Sequence, residues 1–200
     1  MASGSLARQQ SEEAFLDAAE RLLIEVGYSG ISTRRLAEEA GANHGLVHYY
    51  FGSMENLFVR VLERFTERLI ARQREMYARP DISGLEKWRT AMGYLESDLA
   101  AGYPKIWLEL QALGWNQPDI AERVGRVNAR WRAVLTEAFD EMMDEYGLDR
   151  ERFPLVAMVS LAMTINVGIM VERLSGISTG HRDLLQMVER WLESLEEAKR

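Results

Sequence analysis

Residues 33–51, TRRLAEEAGANHGLVHYYF, constrain this chain more than any other stretch, because their spacing and their small residues suit two short helices meeting at a steep angle through a tight turn. Leu36, Ala37 and Ala40 place apolar or small groups on one face of the first helix. Gly41 follows where that helix must stop and pass through a left-handed conformation, which costs glycine little. Ala37 is short enough to let a second helix cross close by. Asn43 then offers a side-chain acceptor to the free N–H groups of that second helix, which turns Val47 and Tyr50 inward. His44, Gly45, Leu46, His48 and Tyr49 are left pointing outward. Ser32 caps the first helix, and Thr33, Arg34 and Arg35 stand at its N-terminus, where free N–H groups and the helix dipole favour a phosphate.

The flanking segments complete a small core. From a Ser11 cap to a stop at Gly27, Phe15, Ala18, Ala19, Leu22, Leu23 and Val26 form one helical stripe, and after a Ser53 cap Phe58, Val61, Leu62, Phe65 and Leu69 form another. Residues 14–62, with the run AGANHGLVHYYFGSMENL, resemble the N-terminal DNA-binding domain of the TetR family of bacterial transcription regulators in helix order, turn length and aromatic ending. The resemblance implies a DNA face made of Thr33, Arg34, Arg35, Asn43, His44, Gly45, Leu46, His48, Tyr49 and Met54. Two stretches depart from the family pattern. His48, Tyr49, Tyr50 and Phe51 stand where Tyr-Tyr-His-Phe is usual, and Met54 stands where lysine is usual.

Charge tempers this expectation. The chain carries 24 basic and 31 acidic side chains, and residues 1–56 set Arg8, Arg21, Arg34 and Arg35 against twice as many acids. The acids gather on the first helix, however, and residues 42–54 contain none, so the face meeting DNA is neutral to weakly basic. Modest nonspecific affinity and a shallow salt dependence follow.

Beyond residue 57 every segment has a helical period. Arg60, Arg64, Arg68 and Arg72 recur every four residues and read as a solvated face, of which only Arg60 is near enough to approach a phosphate. Pro80 to Gly84 mark a break, and the next helix carries Leu85, Trp88, Met92, Leu95 and Leu99. A short helix with Ile106, Trp107, Leu110 and Leu113 follows, then a long one from Pro118 to Gly147. Leu155 to Val171 is apolar nearly all round but interrupted by Ser160, Thr164 and Asn166, which reads as a buried helix and falls short of a comfortable membrane span. With the last helix it suits an isologous four-helix interface between two copies, drawn from Val159, Met163, Val167, Leu184, Val188, Trp191 and Leu195. The TetR resemblance implies the same pairing.

The resemblance also implies an effector pocket in the C-terminal part. Trp88, Met92, Trp107, Trp131, Met163, Asn166 and Met170 give apolar walls with a single amide, suited to an apolar or aromatic molecule. Taken singly, each of these side chains is ordinary core material. The chain has no cysteine, and His44 and His48 lack a third ligand or an intervening glutamate, so no metal, other cofactor or catalytic group is expected. No secretion signal is recognisable, which points to the cytoplasm.

The expectation is therefore an all-α chain of about nine helices: a flexible arm over 1–10, a three-helix helix-turn-helix DNA-binding domain over 11–56, and a helical effector-binding and dimerisation domain over 57–200. Its function would be that of a ligand-responsive regulator, most simply a repressor, bound as a homodimer to an inverted-repeat operator in double-stranded DNA. The alternative is a dimeric helical ligand-binding or protein-interaction module with weak or lost operator binding, motivated by His48, Met54 and the acidic N-terminal segment.

Overall fold

Capping chemistry sets the helix limits in the computed structural model, which describes residues 2–199. Among the described residues there are nine α-helices and no strand: α1 (Ala2–Val26), α2 (Thr33–Ala40), α3 (Gly45–Phe51), α4 (Met54–Tyr77), α5 (Gly84–Ala100), α6 (Tyr103–Gly114), α7 (Pro118–Glu145), α8 (Leu155–Leu174) and α9 (His181–Ala198). The all-α expectation holds. Helix α1 begins at Ala2 rather than at a Ser11 cap. The residues upstream of Ser11 include good helix formers, and an Arg8–Glu12 pair at i,i+4 bridges the expected boundary. A capping residue permits a helix start without forcing one.

The chain divides into two compact units, and α4, α6 and α7 contribute to both. The first holds the described residues up to Glu67 together with Lys105–Val127. It thus contains the expected helix-turn-helix segment whole and adds most of α6 and the start of α7. Phe15, Leu23, Leu36, Val47, Phe58, Leu62, Ile106 and Leu110 are fully buried in it. Polar clamps hold these helices in register. Arg123 grips both carboxylate oxygens of Glu63 at 3.0 and 2.8 Å and reaches Asn56, while Lys105 donates to the Ile24 carbonyl at the end of α1. Arg64 donates to Glu13 and Glu20 and also pairs with Asp17 at 2.8 Å.

The second unit comprises Arg68–Pro104 and the described residues from Asn128 onward. Ser83 and Glu86 form a capping box at the head of α5, each side chain accepting from the other's backbone N–H. Arg72 bonds both oxygens of Asp98 at 2.8 Å and lies 4.0 Å from the Tyr94 ring centre. The reading of Arg60 to Arg72 as a wholly solvated stripe is therefore corrected: Arg64 and Arg72 are partly buried pairs that tie α4 to α1 and to α5. A period of four aligns the arginines but does not reveal which neighbouring helix brings an acid to meet them.

Helix α8 also departs from its expected burial. It is long and apolar enough, by length and composition, to cross a membrane, yet only 17% of its most apolar window is buried. Val156, Leu161, Val171 and Leu174 are exposed on it, and Met187 is exposed on α9. Val159, expected to face a partner copy, is instead buried in its own unit.

Candidate nucleic-acid interface

The interface is built on the α2–turn–α3 segment of the first unit. Ser32 Oγ accepts from the Arg35 N–H at 3.1 Å and fixes the start of α2, which buries Leu36 and Ala37. Gly41 has φ +62°, and its N–H returns to the last carbonyls of α2. Asn43 Oδ1 accepts from the Gly45 N–H at 2.9 Å, so its side chain serves α3 as expected, although α3 begins one residue later than an Asn43 cap requires. Val47 is fully buried, and Tyr50 and Phe51 both meet Phe15 edge-on with ring centres 6.3 Å apart. These contacts fix the rotation of α3.

That rotation decides what remains outside. His44, Gly45, His48 and Tyr49 are exposed, Tyr49 by 68%, and Leu46 is half-buried at the edge of the same face. His48 Nδ1 lies 3.0 Å from the Gly52 carbonyl; with Nδ1 as the donor, Nε2 is left for an external partner. Arg34 is exposed beside Glu38, and Arg35 reaches the Gly30 carbonyl at 3.4 Å. Thr33 and Met54 are half-buried, Met54 as the first residue of α4.

One carboxylate stands close behind this face. Glu55, at the head of α4, is held below the usual carboxylate range, first by a backbone N–H there, then by the Ser53 and Tyr28 hydroxyls and the nearby His48, against an opposing effect of burial. Tyr28 in turn is pushed above the usual phenol range by burial and by the Glu55 charge. Its hydroxyl donates to Glu55 at 3.1 Å, while its N–H donates to Glu109 on α6 at 2.6 Å. Sequence reasoning singled out neither Glu55 nor Tyr28, because their roles depend on tertiary proximity. The same holds for Arg8, whose guanidinium lies over the rings of Tyr49 and Tyr50.

The residues expected to line an effector pocket are divided. Trp107 is buried in the first unit, whereas Trp88, Met92, Trp131, Met163, Asn166 and Met170 belong to the second. Trp131 donates its indole N–H to the Tyr103 hydroxyl at 3.0 Å, and Met170 is buried. A small cleft in the second unit is lined by Tyr77, Lys87, Trp88, Phe139, Met142 and Glu145, so of the expected set it includes Trp88. Burial raises the Tyr77 hydroxyl to about 12.

The family described as "Bacterial regulatory proteins, tetR family" matches residues 15–61, the segment that holds this interface. The HTH-type transcriptional repressor AcnR of Corynebacterium glutamicum is 26% identical over 186 residues, covering 90% of each chain. Two solved structures have the same fold. A TetR transcription regulator from Haloarcula marismortui superposes with a TM-score of 0.74 at 18% identity, covering 95% of this chain and 98% of that one. The transcriptional regulator FadR from Bacillus subtilis, in complex with stearoyl-CoA, gives 0.72 at 16% identity, covering 90% and 96%. The helix-turn-helix segment, residues 15–61, thus matches the tetR family of bacterial regulatory proteins, and the chain as a whole has the fold of TetR-family regulators.

Proposed function

We propose that this chain is a repressor that binds an inverted-repeat operator as a homodimer and leaves it when a small, largely apolar effector binds. The observation that carries the DNA-binding part is the rotation of α3: Val47 is anchored in the core while His44, Gly45, His48 and Tyr49 stand free. A short helix so presented is what a major groove admits. Thr33, Arg34, Arg35, Asn43, Leu46 and Met54 border it and serve as positioning contacts.

Pairing is supported by α8. At 100° per residue, Val156, Ala157, Ser160, Leu161, Thr164, Gly168, Val171 and Leu174 fall on one side of the helix. A Cβ added at Gly168 would meet nothing within 4 Å. Large apolar groups alternating with small ones suit close packing against the same helix of a second copy. Met163, Val167, Leu184, Val188, Trp191 and Leu195 are half-buried, and Val167 lies in the same sector of α8, whereas Val159 is buried in its own unit. Two α3 helices related by the dimer axis would enter successive grooves about 34 to 36 Å apart.

The effector is assigned to the second unit, with Trp88, Met92, Met163 and Asn166 as its half-buried contacts. Stearoyl-CoA in the FadR complex supports the capacity of this fold to hold a long apolar chain. An effector that prefers a subunit spacing unsuited to the operator releases it by shifting the population. The test is selection of genomic fragments by the full-length protein, followed by footprinting. Protection of a palindromic site is the expected result; failure to enrich any fragment at low salt would refute the reading.

A further inference from the structure

The face that α3 presents has no formal charge of its own: residues 42–54 contain neither a lysine or arginine nor an acid. Duplex binding draws most of its affinity from phosphate neutralisation, so a neutral reading helix depends on cations brought by its neighbours. Helix α1 brings one. Arg8 has its guanidinium carbon 5.7 Å from the ring centres of both Tyr49 and Tyr50, and its side chain is 56% exposed. Its Nε donates to Glu12 Oε1 at 2.8 Å, which leaves the two terminal nitrogens without another hydrogen-bond partner among the described residues.

We propose that Arg8 is a phosphate-binding residue of the DNA interface, held over Tyr49 and Tyr50 so that its forked end meets the duplex backbone beside the groove that α3 enters. The inference rests on the DNA-binding reading above and adds a contact from outside the helix-turn-helix. Three features support it. The Tyr rings and Glu12 restrain a long side chain before DNA arrives, which lowers the ordering cost of the contact. The free end of a guanidinium offers parallel N–H groups that match two phosphate oxygens. Tyr49 is itself exposed at the reading face, so a cation stacked beside it lies at the edge of the same surface.

A propping role for Arg8, in which it only steadies α3, makes a different prediction. Binding of a fragment recovered with the wild-type chain would be titrated by fluorescence anisotropy over a range of salt concentrations, with thermal melting of each protein in parallel. Arg8→Ala is expected to reduce the slope of log K against log salt by about 1.8, one contact of about 0.9 being lost from each of the two subunits, and to weaken binding roughly sixtyfold near 0.1 M salt, with melting unchanged. Arg8→Lys is expected to keep the slope. A slope unchanged in Arg8→Ala, whether or not affinity falls, overturns the proposal, as does a lysine variant that behaves like alanine. Failure of the wild-type chain to bind any fragment sinks the DNA-binding reading and this inference with it, and the two failures are told apart by the wild-type titration.

Discussion

Gly27 has φ +74°, and a Cβ there would lie 2.5 Å from Glu109 Oε1, the carboxylate that also receives the Tyr28 N–H. The backbone conformation is strained for any side chain, and the Glu109 carboxylate would have to swing away from the Tyr28 N–H to make room, so Gly27→Ala should lower stability by about 1–3 kcal/mol in urea unfolding. A variant as stable as wild type would mean that α6 does not grip this turn. Glu55 makes a prediction of the opposite kind. Its carboxyl is held low in the folded protein, so it adds stability at pH above the unfolded carboxylate value and loses it as pH falls through the folded value. Glu55→Gln should therefore flatten the loss of melting temperature on acidification, measured as the difference from wild type between neutral and acid pH. Met54 tests the DNA face directly. Met54→Lys, at the head of α4, should steepen the log–log salt slope of DNA binding by about 1 for each subunit of the dimer; an unchanged slope would show that this position faces away from phosphate. The residues whose roles are local were legible in the sequence: Ser32, Gly41 and Ser53 act within a few residues of themselves, and their hydrogen bonds follow from spacing alone. Arg8, Tyr28 and Glu109 were not, because the contacts that give them their roles join separate elements: Arg8 to the Tyr49 ring, and Tyr28 to Glu55 and Glu109, 27 and 81 positions further on.

At the level of elements, periodicity reveals a face only when one exists. The head of α5 was readable from the break over Pro80 to Gly84, and the structure adds the local reason, a capping box between Ser83 and Glu86. Ser83→Ala should accordingly cost about 1 kcal/mol, with the loss read by chemical denaturation. Helix α8 is apolar on all sides, so nothing in its pattern distinguishes Val159, which turns inward, from Val156, which turns out. Packing against the rest of its own unit makes that choice. The start of α1 was misjudged for a related reason: a serine at 11 looks like a boundary, but the residues on either side favour the helix and continue through it. Helix type and number were thus written in the local sequence, whereas facing and pairing depended on contacts between elements.

For the whole molecule, the proposed pairing makes one substitution decisive. Leu161→Glu places a charge on the exposed α8 face, where it remains solvated in a monomer and is desolvated in a pair. Light scattering should report the subunit mass for the variant and twice that mass for wild type, and operator binding should fall with it. A variant that still pairs would place the partner surface elsewhere. The same face has a further consequence. If pairing removes α8 from water, folding and assembly become one linked equilibrium, and diluting the protein should lower its melting temperature while the sequence stays unchanged. A regulator built this way would gauge its own abundance: occupancy of its DNA would rise with roughly the square of the number of chains, until nearly all of them had found a mate.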